Sequence, residues 1–369
     1  MVRGGRFCDV SAVVIASALR ESALSESGRT GGATLKEVAL AAGVSVAAVS
    51  KVLHGTGKSI RVSEARAVEI RAVAERLRYR PNVLARSLRM SKTHTIGLIW
   101  ENMSDIGEGP QYYVQLLDGV ANEAFKHHYR LMILPEIPHC DTIRSLDDGR
   151  LDGVIWCKMP DTPEIAADIA RAQMKVVGLN APPPVFHACP TISCDNEHGS
   201  ELVVDHLTSL GHRHIAFVMD RGSVDTPDAV ARLAGFQAAM EARGLSPDVL
   251  IWDKESPEVL DWWSTEPPHT ALYAWYEGLA GTILSRCVSA GIRVPDELSI
   301  VGFDSTLYCD SLSPRLTAVA QPIKKMALAA TRLLLSLIAD EPVANWQHVY
   351  PCSLDVREST FSVRRADIR

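Results

Sequence analysis

The stretch from Thr34 to Gly55, TLKEVALAAGVSVAAVSKVLHG, constrains this chain more than any other. Thr34 followed three residues later by Glu37 has the spacing of a capping box, in which each residue's side chain satisfies the other's backbone N–H. Leu35, Val38, Ala39 and Ala42 fall at i, i+3, i+4 and i+7, one apolar face of a short helix. Gly43 tolerates the left-handed conformation that ends it. Ser45 then caps a second helix that turns Val49, Val52 and Leu53 back towards the first. The opposite face carries Val46, Ala47, Ser50, Lys51 and His54. Two short helices joined by a glycine turn, the second with a small polar outer face and one cation, have the form that enters a DNA major groove. A plain helical hairpin shares the pattern, so the segments beyond Gly55 must decide between them.

Ser63 caps a third helix with Ala67, Ile70, Ala74 and Leu77 inward, ending in Tyr79-Arg80-Pro81. Asn82-Val83-Leu84-Ala85-Arg86-Ser87-Leu88 comes next. In order, spacing and identity, the segments TLKEVALAAGVSVAAVSKVL, YRPNVLARSL and HTIGLI closely resemble the LacI/GalR family of bacterial transcription regulators. The resemblance runs from about residue 33 to the end of the chain.

Charge is divided as that resemblance requires. The whole chain of 369 residues carries −6, but residues 33–95 hold 12 Lys/Arg against 4 Asp/Glu, whereas residues 96–369 hold 22 against 37. A basic head on an acidic body suits a head that meets phosphates and a body that does not. The eight cysteines, Cys8, Cys140, Cys157, Cys189, Cys194, Cys287, Cys309 and Cys352, form no C-x-x-C pair and read as reduced thiols in a cytoplasm. No apolar run reaches the length of a membrane span, so no membrane partner is expected. Residues 1–32 faintly imitate a signal peptide, with Arg3 and Arg6 before a serine-broken apolar run. Export makes no sense in front of a DNA-binding head, and the segment reads as a dispensable, poorly ordered extension.

From Thr95 onward strands and helices alternate, which means parallel sheets covered by helices. The expected fold class is therefore an all-α helix-turn-helix head plus an α/β periplasmic-binding-protein-like body of two doubly wound parallel-sheet lobes. The head spans 33–80, a hinge helix and linker 81–94, and the body 95–369. Lobe one takes about 95–192 plus 322–347, and lobe two about 193–320 plus 348–369, with the chain crossing back near Gln321-Pro322. Ligands in such sheets sit beyond the strand ends.

The resemblance also implies site residues. The DNA-binding set is Thr34, Ser45, Val46, Ala47, Ser50, Lys51 and His54 in the head, with Asn82, Ala85, Arg86 and Leu88 in the hinge. Val46 and Ala47 offer only apolar contact, for example to a thymine methyl. Lys51 stands where arginine is more usual and acts as a point charge rather than a fork. His54 stands where asparagine is frequent. Ser45 is open between capping and a phosphate contact. Leu88 matches an apolar wedge that kinks the duplex from the minor groove; simple packing on the head is the alternative. The hinge segment is too short to be helical alone, since isolated helices below ~12–15 residues are marginal. It should order when two copies pair on DNA, so the implied partners are a homodimer's second copy and a roughly palindromic double-stranded operator.

The implied effector set is Tyr112, Tyr113, Asn180, Arg232, Trp275, Asp304 and Gln321. Arg232 matches an arginine that binds effector hydroxyls or a carboxylate, and Asp304 an aspartate that does the same. A forked cation, carboxylate and amide groups and flat rings around one cleft are what hold a sugar, so a small-molecule effector of the carbohydrate class is expected. Trp275-Tyr276 replaces the family's usual Asn-Asp pair; these rings either face the cleft as a stacking surface or belong to the core. Asp195-Asn196-Glu197 reads as helix capping and interlobe structure. His212 and His214 lack a third ligand, and no metal or other cofactor is expected. Without a G-x-G-x-x-G after a strand, a Walker A motif or a serine elbow, the chain is not expected to be an enzyme. A two-lobe solute receptor without a gene-regulatory role shares the body's architecture and is the alternative reading.

Overall fold

A computed structural model describes residues 33–55, 61–80, 92–100, 111–135, 142–157, 163–180, 188–252 and 269–363. The chain divides into two units, Met1–Arg89 and Met90–Arg369. The N-terminal extension and the hinge residues Asn82, Ala85, Arg86 and Leu88 lie outside the described residues.

In the first unit, α1 (Leu35–Ala42), α2 (Val46–His54) and α3 (Glu64–Arg76) surround one small core. Val38, Ala39, Ala42, Val49, Ile70, Val73 and Ala74 are its buried members, with Leu35, Val52, Leu53 and Leu77 half-buried against them. The capping box forms: Thr34 N–H donates to Glu37 Oε2 at 2.6 Å and Glu37 N–H to Thr34 Oγ1 at 3.3 Å. Gly43, at φ 63°, ends α1 and donates its N–H to the carbonyls of Ala39 and Leu40. A side chain there would have room, so the backbone angle is what calls for glycine. The chain bends by 109° between α1 and α2, within the range of a helix-turn-helix.

The second unit holds two six-stranded sheets. Lobe one contains β1 (Thr95–Trp100), α4 (Gln111–Lys126), β2 (Arg130–Pro135), α5 (Thr142–Leu146), β3 (Gly153–Cys157), α6 (Pro163–Arg171), β4 (Lys175–Leu179) and β5 (Thr191–Cys194). Lobe two contains α7 (Asn196–Ser209), β6 (Ile215–Asp220), α8 (Pro227–Ala242), β7 (Asp248–Trp252), β8 (Ala271–Ala274), α9 (Glu277–Ala290), β9 (Ser299–Asp304), α10 (Leu307–Ser311) and β10 (Thr317–Ala320). The chain then returns to lobe one with α11 (Ile323–Ile338) and β11 (Gln347–Tyr350), and to lobe two with β12 (Ser353–Asp355).

Strand order is β2-β1-β3-β4-β5-β11 in the first sheet and β7-β6-β8-β9-β10-β12 in the second. Both are doubly wound and parallel apart from β12, which runs antiparallel to β10. Near-continuous apolar runs make this possible: β1 and β9 are buried along their whole length, as strands covered on both faces must be. Helix α11 belongs to lobe one although it follows lobe two in sequence, and a Cβ placed on Gly119 of α4 would lie 2.7 Å from the Ala327 Cβ. The lobes are thus joined by three crossovers, after β5, after β10 and after β11.

Thr191–Cys194 is a strand, and Asp195, read as a helix-capping residue, caps the helix that follows through the His198 N–H. The helix that carries Arg232 starts at Pro227, which suits the first turn because its missing N–H would have no partner there. Strands β7, β10, β11 and β12 were not anticipated; each is short, and β7 carries exposed residues along most of its length.

Candidate functional site

The residues expected to act fall into two sets, one in each unit. In the head, Val46 and Ala47 are exposed at the first turn of α2, while Ser50 and Lys51 are half-buried one turn on. Ser45 Oγ accepts from the Ala48 N–H at 3.2 Å, so its hydroxyl caps the helix. Thr34 is engaged in the capping box. His54, expected on the outward face, has its Nε2 3.1 Å from the Tyr79 Oη, tying the end of α2 to the segment after α3.

In the body, the C-terminal ends of parallel strands share one edge of each sheet, and topology alone gathers there the residues that follow them. Asn180 follows β4, Trp275 follows β8, Asp304 closes β9 and Gln321 follows β10. Asn180, Asp304 and Ser305 have φ of 54°, 93° and 47°, a region that residues other than glycine seldom occupy. Such local strain concentrates at functional sites.

Arg232, on α8, is the hub and is 1% exposed. Its Nε donates to Asn196 Oδ1 at 2.9 Å and its Nη1 to the Trp275 carbonyl at 2.7 Å. Its Nη2 lies 3.7 Å from Asp228 Oδ2 and 3.6 Å from Asp304 Oδ1. The guanidinium carbon sits 3.6 Å from the Phe303 ring centroid, a cation–π distance. Burial works against the charged form, but Asp304 and Asp228 more than offset it and hold the pKa above the usual arginine value. Gln321 Nε2 donates to Asp304 Oδ1 at 2.6 Å.

Across the cleft, the Tyr112 hydroxyl meets the Asn180 amide and lies 3.6 Å from Cys157 Sγ. Burial first, and the Cys157 thiol next, push the Tyr112 pKa well above the usual phenol value, and the charge of Asp228 adds to this from lobe two. Tyr113 packs between Tyr112 and Trp100, with ring centroids 5.2 and 5.4 Å away. Trp275 is buried; its Nε1 donates to Asp220 Oδ2 at 2.9 Å, and its ring lies 4.7 Å from Tyr276. Two buried amide oxygens, Asn180 Oδ1 and Gln321 Oε1, have no hydrogen-bond partner among the described residues. Unsatisfied acceptors are rare in a folded interior.

The structure therefore brings Arg232, Trp275, Asp304 and Gln321 into one network, and Tyr112, Tyr113 and Asn180 into a second, close enough for the Asp228 charge to act on Tyr112. Asn196, Asp228, Asp220 and Phe303 belong to the same site and were not expected there as contacts. Asp228 had a signal in its i, i+4 spacing to Arg232 at a helix start; Asp220 and Phe303 had none beyond ending or nearly ending an apolar strand. His212 is buried, with Nε2 3.0 Å from the Phe361 carbonyl and Nδ1 2.8 Å from Thr270 Oγ1, so both nitrogens serve the fold. Among the described residues no group of three or more His, Cys, Asp or Glu side chains is arranged to hold a metal.

Comparison with known proteins agrees with this geometry. Residues 34–82 match the family described as bacterial regulatory proteins, lacI family. Residues 93–261 match periplasmic binding proteins and sugar binding domain of LacI family, and residues 204–360 a periplasmic binding protein-like domain. The chain is 30% identical over 348 residues to the HTH-type transcriptional regulator GalR of Escherichia coli (strain K12), covering 89% of this chain and 95% of that one. Two solved structures share the fold. The lac repressor dimer bound to operator and the anti-inducer ONPF has a TM-score of 0.76 at 22% identity, covering 90% of this chain and all of that one. The CelR–cellobiose complex has a TM-score of 0.64 at 24% identity, covering 89% and 99%. Head, two-lobed body and relatives over nearly their full length lead to one assignment: the chain belongs to the LacI/GalR family of transcriptional regulators.

Proposed function

We propose that this regulator is a repressor that works in the cytoplasm as a homodimer, and that a carbohydrate-class effector held between its lobes sets its affinity for a roughly palindromic operator. The observation that carries the effector half is a pair of buried polar clusters, one from each lobe. They are an Arg232–Asp304–Gln321 cluster and a Tyr112–Asn180 pair, with two buried amide oxygens still lacking donors among the described residues. Paired hydroxyls of a sugar supply such donors, and the Tyr113 and Trp275 rings offer flat apolar walls. In the head, Val46 and Ala47 would meet base edges and Lys51 a base or phosphate, with Thr34, Ser45, Ser50 and His54 around them. Asn82, Ala85, Arg86 and Leu88 would form the hinge contacts. The similar proteins solved with operator DNA and with cellobiose support both halves.

The test is selection of bound duplexes from random DNA, with and without a panel of sugars. The expected result is enrichment of a two-fold symmetric sequence whose affinity at least one sugar changes by roughly 5–150-fold, the usual range of allosteric coupling. Enrichment without symmetry would overturn the dimeric operator, and a symmetric operator indifferent to every sugar would overturn the carbohydrate effector.

A further inference from the structure

We infer that Asp152 strengthens binding to a two-fold symmetric operator as a positioning residue rather than a DNA contact, by fixing the point where the chain leaves the body for its DNA-binding head. This rests on the proposed function, in which two heads grip one palindrome.

The chain passes between the two units once, and Thr93 and His94 are where it joins the first strand of the body. The Asp152 carboxylate holds it there with both oxygens. Oδ1 accepts from the Thr93 N–H at 2.6 Å and from the Thr93 hydroxyl at 2.9 Å, and Oδ2 accepts from the His94 N–H at 2.9 Å. Backbone bonds tighten the same junction: the Asp152 N–H donates to the Thr95 carbonyl at 2.9 Å, and the Arg130 N–H to the His94 carbonyl at 2.8 Å. His94 itself is left-handed at φ 51°, and its ring lies 5.3 Å from that of Tyr129. A residue other than glycine keeps such an angle where its surroundings over-determine it.

This differs from the local turn that an aspartate commonly caps. Asp152 lies 59 and 58 residues from Thr93 and His94 in sequence, and it immediately precedes β3, which pairs with β1 inside the sheet of lobe one. Arg130 opens β2, on the other side of β1. The junction is therefore bonded to the strands on both flanks of β1. Hydrogen bonds to an ionised acceptor are roughly twice as strong as neutral ones, so the carboxylate fixes the direction of the chain as well as its position.

The consequence falls on the two-headed grip. Once one head sits on its half-site, the second meets the other half at an effective concentration set by how far its tether lets it wander. The hinge segment, expected to order only when two copies pair on DNA, starts from a fixed root when Asp152 holds Thr93 and His94. A loose root spreads the second head over more positions and lowers that concentration. One head on one half-site is indifferent to it.

The test is fluorescence anisotropy of the full-length protein on two duplexes: the symmetric sequence that wild type enriches from random DNA, and the same sequence with one half scrambled. Asp152→Asn keeps the side chain's shape but turns one acceptor into an amide N–H₂, which cannot receive a backbone N–H. The expected result is a loss of about tenfold or more on the symmetric duplex, with affinity for the scrambled one within about twofold of wild type. Thr93→Val removes only the hydroxyl donor; it should show a smaller loss of the same pattern, and it decides the matter if Asp152→Asn melts early. Equal losses on both duplexes would place the effect in the head or at the DNA and overturn the positioning role. Undiminished affinity for the symmetric duplex in Asp152→Asn, at wild-type stability, would overturn it as well. If wild type itself binds the two duplexes alike, the two-headed operator reading fails first, and this inference falls with it.

Discussion

Arg232 illustrates how a single buried charge can organise a site. Removing a buried guanidinium from beside two buried carboxylates breaks a buried ion pair, which typically costs about 3–5 kcal/mol. Asp304→Asn is therefore the cleaner probe of function, because asparagine tolerates the φ of 93° and can still accept from Gln321. His212 offers a second measurement at this scale. Burial lowers its pKa to about 4, with the Phe361 carbonyl pulling weakly the other way, while the unfolded chain binds its proton near 6.5. The unfolded state thus binds more protons between those values. The stability His212 contributes is full above about pH 6.5 and lost as pH falls towards 4, by up to about 3 kcal/mol. Glu277 has the opposite sign: burial, then Asp304, raises it to about 7, so its contribution declines as pH rises from 4.5 to 7. Urea unfolding of wild type and His212→Asn across pH 4–7 separates the two. The variant should lose most of the acid-side decline, and an identical pH profile would assign that decline elsewhere.

At the scale of elements, the first helix is short and depends on its ends. The reciprocal Thr34–Glu37 bonds satisfy two donors that α1 cannot satisfy internally. Thr34→Ala should lower the stability of the head by about 1 kcal/mol, read as an earlier thermal transition of that unit, with little change in the body. Glycine governs the packing of α7 on α8: a Cβ on Gly235 would lie 2.5 Å from the Glu197 carbonyl oxygen, which is backbone and cannot swing away. Gly235→Ala should force the helices apart and cost roughly 1–3 kcal/mol of body stability. Because Asn196 and Arg232 sit on those two helices, 2.9 Å apart, effector affinity should fall with it. A variant as stable as wild type would mean that the helices separate at no cost.

For the molecule as a whole, the lobes are joined by three crossovers, and the candidate contacts come from both. A ligand touching both lobes can shift operator affinity only through its different affinity for their two arrangements. In wild type the effector should change operator affinity by roughly 5–150-fold, and in Asp304→Asn by less than about twofold. Fluorescence anisotropy on labelled operator, with and without effector, measures both ratios. A full response in the variant would move the coupling to other residues.

The sequence alone determined whatever depends on local order. Capping box, glycine stop and apolar spacing specify the head because every one of those contacts lies within a few residues. The alternation of apolar runs with amphipathic helices likewise specifies a doubly wound body. The effector residues Asn180, Arg232, Asp304 and Gln321 were named through the family resemblance, and the topology puts Asn180, Asp304 and Gln321 at or just after strand ends. Only the tertiary structure decided the rest. Short strands such as β10 and β12 owe their existence to neighbours far along the chain, and no local pattern declares them. The partners of Trp275 had no local signal: its indole donates to Asp220 and its carbonyl accepts from Arg232. The parts played by Asn196 and Asp228 were hidden for the same reason. A side chain's hydrogen-bond partner depends on what folding brings opposite it, and here that partner stands on another helix or at the end of another strand.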